Sequence, residues 1–254
     1  MPARLDYSIV VPAFNEEAQL PRTLPAMLEA MRGVDAAGEL IVVDNNSSDA
    51  TAKVAEEHGA TVVFEPVNMI AKARNAGAQA ASAPVLIFVD ADTTPSAQLI
   101  SAALEALSEP DCVGGGAVVE LDPPPNWPTR RLAGCWNLAS RVMGYPAGCF
   151  FFCRRDAFDA VEGFNETLYA SEEIWLARRL KRWGRAQPTR MRMRVLTEPI
   201  VTSSRKMNNG PKMYGMLLLM CLFPFAVRFK GLCGYWYKRE DALATSPSQG
   251  EGGG

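Results

Sequence analysis

VLIFVDADTT, residues Val85–Thr94, decides the fold of this chain. Five apolar residues without a polar break read as a strand covered on both faces, as at the centre of a parallel sheet. Asp90 and Asp92 then leave that strand at its carboxyl end, where open α/β sheets bind ligands. Two carboxylates separated by one small residue can hold a divalent cation. Oxygen-only ligation suits Mg or Mn, ions that commonly complete their coordination on substrate phosphates and water. The stretch therefore points to a phosphate-bearing ligand, although an Asp-x-Asp pair also serves as an ordinary strand-to-loop cap.

Working outward, short apolar runs at Tyr7–Val11, Glu39–Val43 and Thr61–Phe64 precede Val85–Val89, each followed by a segment with apolar residues three or four apart. Those segments predict helices over Leu20–Met31, Ala50–His58, Ile70–Ala81 and Ser96–Leu107. Repeated βαβ units imply parallel strands with right-handed crossovers. Three polar clusters, Pro12–Glu17, Asp44–Asp49 and Asp90–Thr94, then fall on one rim of the sheet.

The second half is less regular. A strand is expected at Val113–Glu120, then a loop, LDPPPNWP, whose prolines oppose regular structure. A strand at Gly148–Cys153 and a short helix over Arg154–Val161 follow. After a Gly163–Phe164 turn, Ser171 is placed to cap a helix that opens with Glu172 and Glu173. Gly114, Gly115 and Gly116 lack the spacing of a dinucleotide fingerprint and are read as permitting close backbone approach near a ligand. Trp136, Trp175 and Trp183 are read as core, and His58, the single histidine, as the end of a helix.

Composition narrows the classes. With 254 residues and 48% hydrophobic content the chain can bury one substantial core. A net charge of −2 argues against a general nucleic-acid binder. Six cysteines without CxxC spacing indicate neither a zinc site nor a disulfide framework, and Cys149 and Cys153 read as buried side chains. The first residues lack the basic, apolar and cleavage regions of a secretion signal, so a cytoplasmic location is expected. Residues 213–229 are the most apolar segment, short for a bilayer span, with basic residues around it and Trp236 and Tyr237 behind it. Residues 213–237 therefore suit either packing on the core or peripheral contact with the cytoplasmic membrane face. The last residues, 241–254, have the composition of a disordered tail.

Taken in order, SIVVPAFNEE, ELIVVDNNSSDAT, KARNAGAQAA, VLIFVDADT and GFNETLYASEEIWLARRLKRWGR resemble glycosyltransferase family 2. The resemblance implies a GT-A-like α/β fold over residues 1–205, a mostly parallel open sheet with helices on both faces; the apolar and basic residues 206–240 are read as a helical appendage to it. It also implies metal-dependent transfer of a sugar from a nucleotide diphosphate sugar to an acceptor hydroxyl, with inversion. By resemblance, Pro12, Phe14 and Glu16 enclose the base, Asp44 hydrogen-bonds it, and Asp90 contacts the ribose or the ion. Asp92 ligates Mg or Mn, Arg74 approaches the nucleotide, and Arg205 approaches the diphosphate. The acceptor must lose a proton as it attacks. The family pattern places that task on Glu173 with Glu172 in support, although the usual aspartate is here a glutamate and Trp175 stands where relatives often carry another acid. Two acids in a first helical turn are also favoured by the macrodipole alone.

Two other classes share parts of this pattern. A nucleotidyltransferase would use the same metal aspartates but would normally place a glycine-rich loop where PAFNEE stands. A non-catalytic nucleotide-sugar-binding scaffold at the membrane would need the acids only as a helix start. The acceptor is unassigned, with a lipid-linked one suggested by the apolar C-terminal segment.

Overall fold

The computed structural model describes residues 4–124 and 127–203. The C-terminal segment expected to be helical, the tail and Arg205 lie outside them. The elements run β1 (Tyr7–Ala13), α1 (Leu20–Arg32), β2 (Gly38–Asp44), α2 (Thr51–Glu57), β3 (Thr61–Phe64), α3 (Ile70–Ala80) and β4 (Val85–Val89). They continue with β5 (Thr93–Thr94), α4 (Ala97–Ser108), β6 (Cys112–Asp122), α5 (Trp127–Met143), β7 (Phe150–Arg154), α6 (Arg155–Ala160), α7 (Glu172–Arg185) and β8 (Arg192–Ser203). Among the described residues the eight strands form one sheet in the order β3-β2-β1-β4-β7-β6-β8-β5.

Strand β4 sits inside the sheet because its side chains are apolar on both faces. Ile87 and Val89 pack with Tyr7, Ile9 and Val11 beneath α1 and α4. Leu86 and Phe88 pack with Val10, Ile41 and Val43 on the opposite face, against α3, α6 and α7. The Phe88 ring is the hub of the second layer, 5.0 Å from Phe164 and 5.5 Å from Phe158 between centroids. Such a ring contributes both buried area and edge-to-face contact. Helix α1 presents Leu20, Leu24, Met27 and Ala30 to the first layer at helical spacing, and α4 begins where Ser96 Oγ accepts the Leu99 N–H at 3.1 Å.

Strands β1 to β4 are parallel, as their crossovers dictate. Beyond β4 the sheet turns mixed: β7 runs antiparallel to both β4 and β6, while β6 and β8 are parallel. Several expectations are corrected here. The chain after the prolines becomes a 17-residue helix, α5, because Pro128 falls in its first turn, where its missing N–H costs nothing. Strand β8 carries Pro199 and escapes strand patterning; the register slips between Ala117 and Val119, and that bulge absorbs Thr197–Pro199. Ser171 stands at the start of α7 without a side-chain capping bond, because its backbone is left-handed with φ 59°. The glycine run does serve close approach, but to protein: a Cβ on Gly115 would stand 1.9 Å from Arg194 O, and one on Gly114 2.5 Å from Phe152 O. Trp136 lies exposed on α5 instead of in the core.

Candidate active site

The site is assembled at the carboxyl ends of β1, β2 and β4. The register pairs Ala13 with Asp44, so the β1 and β2 loops leave the sheet side by side. They are zipped together by short polar side chains. Asn15 N–H donates to Ser47 Oγ at 3.0 Å, and Asn15 Oδ1 accepts Ser48 N–H at 2.8 Å. Glu16 N–H donates to Thr51 Oγ1 at 2.8 Å. Asn15 and Asn46 take left-handed backbone, a conformation asparagine tolerates. Asp44 is buried, and its Oδ1 accepts Ser47 N–H at 3.0 Å, so it fastens the turn that follows β2. Pro12, Phe14 and Glu16 are each half-buried along this rim.

The β4 end is bolted to α1, where Thr23 Oγ1 donates to Ala91 O at 2.8 Å. Asp92 is buried and faces a cavity of about 200 Å³ lined by Arg22, Ala26, Asp92, Thr94, Asp122 and Thr202, with Val201 and Ser203 at its wall. Arg22, Asp122 and Thr202 were not singled out from sequence. Arg22 could have been found from helical spacing, since it precedes the inward-facing Thr23. Asp122 and Thr202 come from β6 and β8, whose ends no local pattern reveals.

One guanidinium joins the remaining residues. Arg74, on α3, is 2% exposed. Its Nη1 donates to Glu172 Oε1 at 2.5 Å and its Nη2 to Asp90 Oδ1 at 2.9 Å and Gly148 O at 2.8 Å. The guanidinium carbon lies 5.3 Å from the centre of the Phe164 ring. The next residue grips the same partner: Asn75 Nδ2 donates to Phe164 O at 3.0 Å, and Asn75 Oδ1 accepts Phe164 N–H at 2.9 Å. The KARN and GFNE motifs thus dock on one another. Gly163, at φ 64°, makes the turn, and a Cβ there would stand 2.7 Å from Asn75 Oδ1. Arg74 is thus an internal tie that joins α3 to the Asp90 turn, to Gly148 and to the start of α7. Lys72, by contrast, pairs at the surface with Glu166 at 3.3 Å.

Glu173 is half-buried beside this cluster. A Cβ on Gly148 would be 3.4 Å from the Glu173 carboxyl carbon and 3.6 Å from Arg74 Nη2, so the carboxyl and the guanidinium flank the same stretch of backbone. Burial, then the neighbouring Glu172 charge, pushes the Glu173 carboxyl up to about 8, with Arg74 opposing. Burial also raises Glu172 against the pull of Arg74. The balance is one guanidinium among three carboxylates, which favours retention of a proton on the least compensated of them. Cys149 lies close by, but burial and the charges of Asp90 and Asp92 push its thiol well up, so it is no nucleophile at neutral pH.

Among the described residues no group of three or more His, Cys, Asp or Glu side chains could by itself hold a metal ion. Asp92, oxygen-rich and facing open space, fits an ion that draws its other ligands from a bound substrate. Asp90 has one oxygen occupied by Arg74. Among the described residues no helix is long and apolar enough to cross a membrane.

Comparison with known proteins gives the family and the fold. Among curated relatives, an uncharacterized glycosyltransferase of Mycobacterium tuberculosis is 44% identical over 85 residues, covering 34% of this chain and 36% of the relative. An undecaprenyl-phosphate 4-deoxy-4-formamido-L-arabinose transferase of Sodalis glossinidius is 30% identical over 162 residues, 58% of this chain and 47% of that protein. The matched stretches thus span less than half the length of these relatives. Among solved structures, a mannosyltransferase of Pyrobaculum calidifontis in complex with GDP-Man and Mn2+ superposes with a TM-score of 0.60 at 19% identity, over 92% of this chain and 70% of that one. Glucosyl-3-phosphoglycerate synthase of Mycobacterium tuberculosis with Mn2+ and UDP-glucose gives 0.59 at 20% identity, over 91% and 79%. These neighbours establish the GT-A fold. The model of glycosyl transferase family 2 matches residues 8–162, more than half of the chain, and spans the loop zipper, the Asp90–Asp92 turn and Arg74: the chain belongs to glycosyl transferase family 2.

Proposed function

We propose that this protein transfers a sugar from a nucleotide diphosphate sugar to an acceptor hydroxyl with inversion, Glu173 taking the acceptor proton. The observation that carries the reading is the Arg74 bridge. By bonding Asp90 and Glu172 at once it ties the start of α7 to the Asp90–Asp92 turn, which supports reading the candidate base and the candidate metal ligand as parts of one site.

In this reading the acceptor oxygen attacks the anomeric carbon from the face opposite the diphosphate. The carbon–oxygen bond to the phosphate breaks with its electron pair, and the acceptor proton passes to a Glu173 carboxylate oxygen. A carboxyl with affinity near 8 is a strong enough base to share that proton at neutral to mildly alkaline pH. Asp92 would hold a Mg or Mn ion, with Asp90 in support, and the bound ion would offset charge on the departing diphosphate. Arg22 lines the same cavity and adds positive charge there. The rim of Pro12, Phe14, Glu16 and Asp44 would receive the base and ribose. The Mn2+ and nucleotide sugars in the neighbouring structures support this donor class, and the undecaprenyl-phosphate transferase among the relatives supports an acceptor linked to a lipid.

The test is a thermal-shift panel of UDP- and GDP-sugars with Mn, Mg or chelator, followed by product identification. Stabilisation by a nucleotide sugar only with metal, and release of nucleoside diphosphate, are expected. Pyrophosphate release would instead mean nucleotidyl transfer, and indifference to every nucleotide sugar would overturn the reading.

A further inference from the structure

Helix α5 carries several large apolar side chains on the outside. Trp127, Leu138 and Val142 are 73%, 66% and 79% exposed. With about 100° of turn per residue, positions 127, 131, 135, 138 and 142 form one continuous stripe. Arg131 and Cys135 on that stripe are likewise exposed. The helix is held to the protein from its other side. Asn137 Oδ1 accepts Val119 N–H and its Nδ2 donates to Val119 O, both at 2.9 Å, and Ser140 Oγ donates to Tyr145 O at 2.6 Å. The outward stripe is therefore not a misplaced core face.

Its charge says what covers it. Helix α5 contains no acidic residue, and Arg130, Arg131 and Arg141 are all exposed on or beside the stripe. Arg131 lies over the Trp127 ring, 6.0 Å from guanidinium carbon to centroid. At the far end Lys181 donates to Met143 O and sits 3.7 Å from the centre of the Tyr145 ring, with Arg178 5.8 Å away on the same ring. A cationic frame around an apolar strip opposes stacking on a second copy, which would set like charges face to face. It matches an anionic bilayer, where apolar side chains enter the acyl boundary and arginines meet headgroup phosphates.

We propose that α5 is a membrane-docking helix that lies in the headgroup layer of an anionic bilayer with Trp127, Leu138 and Val142 inserted. The chain leaves the Asp92 cavity at Asp122, runs through α5, and returns at Gly148 beside Glu173. Docking therefore sets the lipid surface at the margin of the site, where a lipid-borne acceptor would arrive. The surface stands independently of the transferase reading, since vesicle binding requires no turnover.

The test uses the full chain with phosphatidylcholine vesicles containing about 30 mol% phosphatidylglycerol. Co-sedimentation is expected, falling on addition of salt and on removal of the anionic lipid. The double variant Leu138→Gln, Val142→Gln and the double variant Arg130→Gln, Arg141→Gln should each weaken partitioning by about tenfold or more, with thermal melting preserved because all four side chains are exposed. Should either pair fail to fold, quenching by brominated lipid gives a second readout, expected to drop when Trp127 is changed to Phe. Binding that persists undiminished in both double variants would overturn the proposal and move any membrane contact to residues 206–240. A dimer in lipid-free buffer that the Leu138→Gln, Val142→Gln pair dissociates, with vesicle binding unchanged, would overturn it in favour of a self-contact.

Discussion

The two halves of the sheet hold their parts of the site by different forces. Along β1 and β2 the loops are fastened by several dispersed hydrogen bonds, neutral ones joining Asn15 and the Glu16 N–H to Ser47, Ser48 and Thr51, and others accepted by the carboxylates of Glu17 and Asp49. Across β4, α3 and α7 the fastening is a buried charge cluster, one guanidinium bonding two carboxylates with a third beside it. Neutral bonds of this kind contribute about 0.5–1.5 kcal/mol each and do not titrate, whereas a buried ion pair fails heavily when one member is lost. The proposed nucleotide end is thus tolerant, and the proposed acceptor end is sensitive to pH and to single substitutions.

The comparison is sharpest at Glu173. Changing Glu173 to Gln keeps the shape and removes the proposed base, so kcat is expected to fall by about 10²–10⁴-fold while donor affinity stays near wild type. A variant with undiminished turnover would leave the charge cluster with a purely architectural role. The next effect is on stability. Arg74→Met strands Glu172 in the interior and is expected to cost about 3–5 kcal/mol in urea unfolding, and adding Glu172→Leu should recover much of that. If the double variant is no more stable than Arg74→Met alone, the pair is not the tie described here.

Acidity separates the halves without mutation. If Glu173, held near 8, is the base proposed above, it must be ionised to act, so kcat/KM should climb as pH rises and level off above about 8. Stability runs the other way. A carboxyl whose folded affinity lies above its unfolded value adds stability that is complete below about 4.5 and is lost as pH rises through about 8. Glu173→Gln should therefore shrink the loss of unfolding free energy between about pH 6 and 9 by on the order of 2 kcal/mol, less than full linkage because water reaches the side chain. Equal losses in both proteins would place the titration elsewhere. The smallest effect belongs to the loops: Thr51→Val, which removes the acceptor of the Glu16 N–H, is expected to cost about 1 kcal/mol, read from the same urea curves. A cost as large as that of Arg74→Met would erase the distinction between the halves.

The same division governs what could be read in advance. Strands β3 and β4 end where the apolar runs end, and the helices between β1 and β4 fall within one residue of their periodic patterns, because each is built from contacts along its own stretch of chain. Helix α5 and strand β8 escaped. The first follows a proline run and turns Trp127, Leu138 and Val142 outwards, and the second depends on a bulge opposite Ala117–Val119 that only its partner strand can define. Arg74 and Glu173 were visible as residues, but Arg74 looked like a cation for a ligand, and burial among three carboxylates is invisible to spacing.

Local patterning by itself determined the parallel βαβ half, the rim of polar loops and the family, since hydrophobic period, turn chemistry and motif order are properties of neighbouring residues. Tertiary structure alone decided that α3 and α7 share one guanidinium, that Asp92 faces a cavity walled by β6 and β8, and that α5 shows an apolar stripe to solvent. Those facts rest on residues tens of positions apart meeting in a low-dielectric interior or failing to find a partner there, and the energy of such meetings depends on burial that no window of sequence contains.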